Sequence, residues 1–399
     1  MKRKRGFFRT VAMIAAVLLP AIIILAGGTG SITAAAAADG TPVYSSGDLF
    51  SDRDLSQTAD LSGAAAYTVA DGEDIRITEA GTYVLRGTAS DVTVYVDAAD
   101  DAKVQLVLQG LYLTNSSFPC IYVRSADKVF VTTAGDSSLA VTGTFRTDGS
   151  TNTDAAIFSR CDLTLNGTAV LTVQSTDNGV ACKDDLRITG GTYNVTAASK
   201  AFEANDSIRV ADGTFNIRAG TDGFHAENGD DDSRGYIYIG GGDIRITCGD
   251  DGIHAVSVVQ VDGGTLAVTA SEGIEGTFIQ INGGTVSISA SDDGINAARK
   301  SSSAEVAIEF NGGNVSVAMG AGDTDGIDSN GNLYINGGMI SVTGSSTFDY
   351  DGTLSFTGGT VYVNGQQTSS IPNQMTGGGR GGWGNNGWNG NGGHGRGGW

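Results

Sequence analysis

Proline, cysteine, histidine and positive charge are all scarce in this 399-residue chain. It has 4 Pro, 4 Cys and 3 His, and its 24 Lys and Arg residues are outnumbered by 44 Asp and Glu residues. Four cysteines are too few for a disulfide scaffold. The net charge of −20 argues against nucleic-acid binding, because contacts to phosphates require Lys and Arg. Such an acidic chain is better suited to cations, or to polyanions that cations bridge.

Long apolar runs are also lacking, except near the start. Residues 2–9 include five basic side chains, an apolar run follows from Val11 to Ala26, and small residues fill 34–38. This order is typical of a secretory signal peptide. We therefore predict that residues 1–38 are removed and that the mature protein is secreted or extracellular. The alternative is an uncleaved membrane anchor. No later stretch reaches the ~18 apolar residues of a membrane span, so no membrane contact is expected after cleavage.

Glycine, by contrast, is abundant, and its placement reveals a repeat. The segment Asp293-Gly294-Ile295 recurs with its Gly at 223, 252, 273, 294 and 326, so the separations are 29, 21, 21 and 32 residues. The basic period is therefore 21, and the longer gaps contain the insertions Asn228–Gly235 and Ala298–Ala304. A pair of glycines follows each segment, as at 283–284. Such pairs can supply the positive φ of a tight corner.

Short alternating runs flank each glycine pair. Ile279 and Ile281 precede one pair, and Val286 and Ile288 follow it. This period of two, rich in β-branched residues, predicts strands. Each unit thus holds three short strands and can bury its apolar face only when copies stack. A β-propeller repeats every ~40–50 residues, and a calcium roll needs a nonapeptide motif, so neither fits.

We predict an all-β fold, a right-handed parallel β-helix (solenoid) of about 21-residue coils. It should occupy residues 71–366 of a protein that we expect to be a monomer. Residues 39–70 are expected to be an N-terminal linker and cap. Residues 367–399 form a Gly/Trp-rich tail that we expect to be disordered.

Stacked coils ~4.8 Å apart convert the repeat into two rows of polar side chains. The residue before each glycine defines the corner row: Asp222, Asp251, Glu272, Asp293 and Asp325. The residue two after it defines the outer row: Glu203, His225, His254, Glu275, Asn296, Asp328 and Asp349. The apolar residue between the rows points inward, so both rows are expected to face solvent.

A row of carboxylates repels itself, by about 0.9 kcal/mol per neighbouring pair in water. Calcium would offset this repulsion, because it binds six to eight oxygens and could sit between adjacent coils. Zinc is disfavoured, because it prefers His and Cys. The alternative is a solvated acidic surface without metal. The predicted cofactor is calcium, with these candidate metal ligands: Asp222, Asp250, Asp251, Glu272, Asp292, Asp293, Asn296, Asp323, Asp325 and Asp328. The candidate carbohydrate-binding residues are His225, His254 and Glu275.

These motifs resemble a known family. Asp-Asp-Gly-Ile at 292–295, with its Asn-Gly-Gly-Thr corner at 282–285, is similar to the repeat of a family of secreted carbohydrate-binding β-helix proteins. That family is in turn similar to the calcium-dependent family 9 pectate lyases. The resemblance covers about residues 70–365 and is strongest over 175–365. In those lyases an Asp-Asp-Gly-x-Asp segment binds catalytic calcium, which implies ligands at Asp292, Asp293, Asn296, Asp325 and Asp328. The segment ending at His254 departs from that pattern.

Lyase chemistry also requires a base, which in that family is a Lys. The predicted mature chain has only five. Lys200, which occupies the corner-row position one coil before Asp222, is the best candidate for this base. Its alternative role is to form a salt bridge. No catalytic residue is therefore assigned.

Three functions follow from this sequence. The leading one is a secreted, calcium-binding β-helix that binds plant cell-wall polysaccharide, either polygalacturonate or cellulose, without cleaving it. Tyrosines exposed on the flat sheets would meet the sugar rings. The alternatives are a calcium-dependent pectate lyase, which the scarcity of Lys disfavours, and a structural cell-surface adhesin.

Overall fold

The computed structural model describes residues 40–321 and 324–374. The predicted signal peptide, the tail from residue 375 onward and Asp323 lie outside the described residues. Two four-residue helices come first, Ser46–Leu49 (α1) and Asp52–Leu55 (α2). No helix in the described ranges is long and apolar enough to cross a membrane.

The rest of the described chain is almost entirely strand and turn. The strands, in chain order, are β1 Ala65–Thr68, β2 Ile75–Ile77, β3 Gly81–Ser90, β4 Val94–Asp97, β5 Lys103–Asn115, β6 Ile121–Ser125, β7 Lys128–Gly135, β8 Ser137–Val141, β9 Ala155–Ser159, β10 Asp162–Gly167, β11 Val170–Ser175, β12 Asn178–Cys182, β13 Asp185–Ile188, β14 Thr192–Ala197, β15 Phe202–Ala204, β16 Ser207–Val210, β17 Thr214–Ala219, β18 Phe224–Ala226, β19 Tyr236–Ile239, β20 Asp243–Thr247, β21 Asp251–Ala255, β22 Val258–Val261, β23 Thr265–Ala270, β24 Glu272–Gly276, β25 Phe278–Ile281, β26 Thr285–Ala290, β27 Ile295–Ala297, β28 Ala307–Phe310, β29 Asn314–Met319, β30 Asp325–Ser329, β31 Asn332–Ile335, β32 Met339–Thr343, β33 Ser346–Tyr350, β34 Leu354–Phe356, β35 Thr360–Val363 and β36 Gln366–Thr368.

The strands form two long sheets. One has 12 strands, namely β2, β4, β6, β9 and every third strand from there to β33, and the other has 24. Among the described strand pairs only β35 and β36 run antiparallel. Neighbours are equivalent strands of successive repeats: Ile253 pairs with Ile274, and Ile274 pairs with Ile295. The all-β prediction is confirmed, and the long parallel sheets are consistent with a β-helix.

The period-two pattern places apolar side chains in the core. In β26, Val286 and Ile288 are each 1% exposed, whereas Ser287 between them faces solvent. Ile274 and Ile295 are fully buried. Each such side chain contributes roughly 1.5–3 kcal/mol on burial, and neighbouring strands repeat the contribution along the sheets.

Glycine is required at two positions of the repeat for different reasons. The second glycine of a pair supplies the positive φ that we predicted, as Gly284 does with φ of 80°. Gly273, in the Asp-Gly-Ile type of segment, has no space for a side chain. A Cβ there would lie 2.3 Å from the Gly294 carbonyl oxygen and 2.4 Å from Ile288 Cγ2. Close stacking of coils therefore excludes even alanine without a shift of the backbone.

Residues 40–57, here called the strap, lie along the 24-stranded sheet. The Gln260 amide pairs with the strap backbone much as a strand would: its Oε1 accepts from Tyr44 N at 2.7 Å, and its Nε2 donates to Tyr44 O at 3.0 Å. Gln280 Oε1 accepts from Val43 N in the same manner. The Tyr44 ring stacks on Tyr236, with 4.3 Å between ring centroids. This part of the predicted linker and cap therefore has a defined binding position.

A buried carboxylate holds the other end of the strap. Asp54 is 1% exposed, and its Oδ1 lies 3.1 Å from Lys128 Nζ and accepts from Thr164 Oγ1 at 2.8 Å. Burial by itself raises the pKa of Asp54, but hydrogen bonds from Ser51 and the Lys128 charge outweigh it and lower the pKa to about 2. The carboxylate is therefore ionised, and it fixes the strap on the sheet.

Asp54→Ala is expected to lower the free energy of unfolding by about 3 kcal/mol, because Lys128, in a largely buried site, would lose the nearer of its two carboxylate partners and keep only Asp162, 3.7 Å away. Urea denaturation at pH 7 measures the loss. Asp52→Ala is the matched control, because Asp52 is exposed on the same helix. Equal effects of the two changes would show that the buried ion pair does not hold the strap.

Candidate functional site

Strand pairing in the 12-stranded sheet assembles the outer row as predicted. Each member is the register partner of the next, in the order Glu203, His225, His254, Glu275, Asn296, Asp328, Asp349. The corner row lies beside it. Asp222 Oδ1 accepts from Asp251 N, and Asp293 Oδ1 accepts from Asp325 N, each at 3.2 Å. Residues far apart in sequence thus form one polar surface.

The expectation that both rows face solvent is wrong for much of their length. Asp251 is 6% exposed, and Glu275 and Asn296 are each 8% exposed. Side chains on neighbouring strands stand only ~4.8 Å apart, so they cover one another. Asp250 and Asp292, one position upstream of the corner row, are exposed instead.

Basic side chains neutralise the first part of the rows. Glu203 contacts two lysines: Lys200 Nζ is 3.0 Å from its Oε1, and Lys183 Nζ is 3.5 Å from its Oε2. Burial by itself raises the pKa of Glu203, but the two lysines outweigh it and lower the pKa. Lys200 thus forms a salt bridge, which we predicted from the sequence as the alternative to a role as catalytic base. Lys183 was not singled out from the sequence, because it lies outside both rows.

The histidines extend this neutralised part. His254 Nδ1 lies 2.6 Å from Asp251 Oδ2 and 2.9 Å from Glu275 Oε2. Burial opposes a charge on the ring, but these two carboxylates raise the pKa of His254 to about 9. The ring is therefore protonated at neutral pH. Lys300 Nζ lies 2.8 Å from Glu275 Oε1. One His and two carboxylates could hold a metal ion by their composition, but His254 and Lys300 already balance their charge.

His225 repeats this arrangement one coil earlier. Its Nδ1 lies 2.8 Å from Asp222 Oδ2. Its ring stacks on His254 with 4.5 Å between centroids. We call the part of the rows from Glu203 to Glu275 the paired segment; Glu272 is its one carboxylate without an ion pair among the described residues.

The remaining part, which we call the unpaired segment, comprises Asp293, Asn296, Asp325, Asp328 and Asp349. No Lys, Arg or His of the described ranges forms an ion pair with its four carboxylates. Burial, followed by repulsion from neighbouring carboxylates, raises the pKa of Asp328 to about 7. Burial and nearby carboxylates likewise raise the pKa of Asp293 to about 6. The protein thus concentrates negative charge here without compensating it.

A buried amide oxygen faces the same surroundings without a partner. Asn296 Nδ2 donates to Glu272 Oε2 at 3.2 Å, but Asn296 Oδ1 has no hydrogen-bond partner in the structure. Asp349 Oδ1 is also unpartnered. Buried polar atoms normally have partners. Carboxylate and amide oxygens are the ligands that calcium prefers, so the chemistry of this donor set fits calcium.

The tyrosines do not form the exposed sugar-binding surface that we expected. Among the twelve, all within the described ranges, only Tyr67 and Tyr112 are exposed, at 37% and 44%. Tyr193 is 1% exposed within the core, and Tyr238 is 1% exposed with its ring centroid 6.2 Å from that of Phe50 in the strap. Polar side chains, rather than aromatic rings, therefore dominate the candidate site.

A known protein family matches the part of the chain that carries both rows. The sequence profile of the carbohydrate-binding domain-containing protein family matches residues 71–326 and 275–369. The chain belongs to this family. The matched residues include both rows and nearly all the strands. The family resemblance predicted from the repeat is thereby confirmed at the level of a carbohydrate-binding domain.

Two similar proteins are informative. A carbohydrate-binding domain-containing protein of Acetivibrio thermocellus is 39% identical over 201 residues, which cover 49% of this chain and 70% of that protein. The solved structure of a polysaccharide lyase-like protein from C. thermocellum, in a gadolinium derivative, is 29% identical with a TM-score of 0.52. It covers 55% of this chain and 96% of its own. The aligned part of this chain therefore shares its fold with that polysaccharide lyase-like protein.

Proposed function

We propose that this chain is a secreted, monomeric, right-handed parallel β-helix that holds calcium on the unpaired segment and binds an acidic plant cell-wall polysaccharide without cleaving it. Polygalacturonate is the representative ligand, and cellulose is a weaker, neutral one. The single observation that carries the proposal is a set of oxygen donors without cations. It consists of carboxylates with no basic partner in the described part of the chain and the buried Oδ1 of Asn296, which has no hydrogen-bond partner there.

The residues that would hold the ion are Asp293, Asn296, Asp325 and Asp328. When bound, calcium supplies the positive charge that these residues lack, and it can share its remaining coordination positions with the carboxylates of a uronate polymer. The strands fix the donors before binding, because each is the register partner of its neighbour or hydrogen-bonded to it. Little side-chain ordering would then remain to oppose binding.

The comparisons support a carbohydrate ligand at the level of the family. The structural neighbour is described as polysaccharide lyase-like and was solved as a gadolinium derivative. Gadolinium, like calcium, is a hard cation that oxygen donors suit. These facts favour a carbohydrate ligand and a hard cation bound by oxygen atoms in this chain.

The lyase alternative depends on a neutral lysine near the substrate. Lys200 forms an ion pair with Glu203, with 3.0 Å between Nζ and Oε1, so its amino group contacts a carboxylate of the outer row instead of being free to contact a substrate. This contact favours binding over cleavage. In the adhesin alternative, the unpaired segment would hold calcium without any sugar.

We expect purified protein to bind polygalacturonate in a pull-down with millimolar calcium, to be released by a chelator, and to form no unsaturated uronide. The chelator should also lower the melting temperature, because calcium stabilises only the folded state that binds it. Absorbance of the unsaturated product tests cleavage. Calcium-dependent turnover that disappears in Lys200→Ala would replace this proposal with the lyase function. Calcium binding without polysaccharide binding would support the adhesin.

A further inference from the structure

Two insertions that are distant in sequence contact each other, and the second of them reaches the outer row at Glu275. Asn228–Gly235 follows β18, and Ala298–Ala304 follows β27. Ser302 N donates to Asp232 Oδ2 at 2.7 Å, and Ser301 Oγ donates to Asp232 O at 2.5 Å. We call this contact the clasp. The two coils between them, which contain β21 and β24, turn through much shorter corners, so the clasp spans those corners.

The clasp brings the second insertion back over the preceding coil. Thr277, which is fully buried in that coil, accepts from Lys300 N at 3.0 Å and from Ser301 N at 2.9 Å. Lys300 therefore lies beside Glu275, its ion-pair partner at 2.8 Å. Although Lys300 follows Asn296 in sequence, its ammonium group lies beside Glu275, the outer-row residue of the preceding coil. A cation is thus placed where the paired segment meets the unpaired segment.

Lys300 retains the capacity to bind an anion. Its ammonium group has three N–H donors, and Glu275 is its one ion-pair partner among the described residues. Its side chain is 27% exposed. Glu275 is the register partner of Asn296, so the ion-pair partner of Lys300 lies one strand spacing, ~4.8 Å, from the nearest candidate calcium ligand. An anionic polymer along the outer row would meet both Lys300 and the candidate calcium ligands.

We propose that Lys300 determines specificity for uronate-containing polysaccharide by binding a uronate carboxylate directly, next to the carboxylates that calcium binds. This inference rests on the proposed function. Asp232 is a positioning residue, because it holds the insertion that presents Lys300. A neutral polysaccharide, or one whose uronates are methyl esters, offers no carboxylate and gains nothing from Lys300.

The test compares dissociation constants for polygalacturonate and for fully methyl-esterified pectin, at fixed calcium concentration. Lys300→Gln should raise the Kd for polygalacturonate about tenfold and leave the Kd for the ester unchanged. Calorimetry with calcium alone should give unchanged affinity. Lys300→Arg should bind like the wild type. Lys103→Gln is the matched control, because Lys103 is an exposed lysine whose ion-pair partner, Asp127, lies outside both rows.

The clasp is tested separately, with the same two polymers. Asp232→Ala should lose part of the preference for polygalacturonate over the ester. Asp232→Asn keeps an oxygen that can accept from Ser302 N, so it should retain the preference. If Lys300→Gln does not fold, the comparison of Asp232→Ala with Asp232→Asn tests the inference instead. Wild-type preference in Lys300→Gln, or in Asp232→Ala if the former does not fold, would overturn the inference and leave the proposed function intact. Failure of the wild type to bind polygalacturonate would overturn both.

Discussion

The double change Asp293→Asn and Asp325→Asn is expected to weaken calcium-dependent binding of polygalacturonate at least about tenfold, because two ligand charges are lost while side-chain size is kept. The fold should survive. Asparagine keeps an acceptor oxygen at 293 for the contact with the backbone N of residue 325, now 3.2 Å long, and the inward-facing isoleucines are untouched. Pull-down and calorimetry with calcium measure the loss.

A matched control removes the same two charges elsewhere. Asp100→Asn with Asp101→Asn alters two exposed residues before β5, outside both rows, and should leave binding unchanged. Binding of neutral glucan should change little in either double variant. If Asp293→Asn with Asp325→Asn loses calcium yet keeps full affinity for polygalacturonate, the rows are structural. The sugar site must then lie on another face.

Without calcium, the protein is expected to become more stable as the pH falls from 8 to 5. The pKa values of Asp328 and Asp293 are raised to about 7 and about 6 by burial and neighbouring carboxylates. The same causes raise the pKa of Glu272 to about 7. A carboxyl group with a raised pKa binds its proton more tightly in the folded state, so it destabilises the protein above that pKa and ceases to do so as it protonates.

The other perturbed groups do not reverse this direction. His254, with its pKa of about 9, adds stability that is complete below its ordinary value near 6.5 and is lost as the pH rises through 9. The pKa values of Asp54 and Glu275 are lowered to about 2, so their contributions are lost only below about pH 4.5. Each pKa unit corresponds to about 1.4 kcal/mol. After allowance for solvent screening, we expect a total gain of about 2 kcal/mol.

Urea denaturation in chelator at pH 5, 6, 7 and 8 measures this gain. Asp328→Asn should flatten the dependence, because it removes one of the groups with a strongly raised pKa. Saturating calcium should also flatten it, since the ion takes over the compensation of charge. A steady loss of stability from pH 8 to pH 6 in chelator would show that the unpaired carboxylates do not destabilise the folded state.

Much of this architecture was accessible from the repeat. A spacing of 21 residues between glycines predicts the pairing of Ile253 with Ile274 and of Ile274 with Ile295, because stacked strands bring equivalent positions together. The outer row was identified in full for the same reason. Burial of the rows was missed, because a sequence shows which face a residue occupies but not how closely its neighbours on adjacent strands cover it.

Calcium, secretion and the absence of cleavage remain predictions. The structure divides the rows into a paired and an unpaired segment, and this division shows which part calcium would occupy if the prediction holds. The coils of Asp251 and Asp293 share an Asp-Asp-Gly segment, but the outer-row residue that follows is His254 in one and Asn296 in the other. His254 pairs with Asp251 and Glu275, and Lys300, from an insertion outside the repeat, adds a second cation beside Glu275.

The sequence by itself determined the strand period, the inward and outward faces, the two rows and the family, because local alternation and a regular repeat leave few ways to stack the chain. Only the tertiary structure decided where the insertions and the strap lie. Their contacts span long separations, such as Ser302 with Asp232 and Tyr44 with Gln260, and no local pattern encodes them. The contact between the insertions places Lys300 beside Glu275, and strand pairing brings His254 between Asp251 and Glu275. Among the described residues no such cation reaches Asp293, Asp325 or Asp328, and that difference is what makes this part of the acidic rows a candidate binding site.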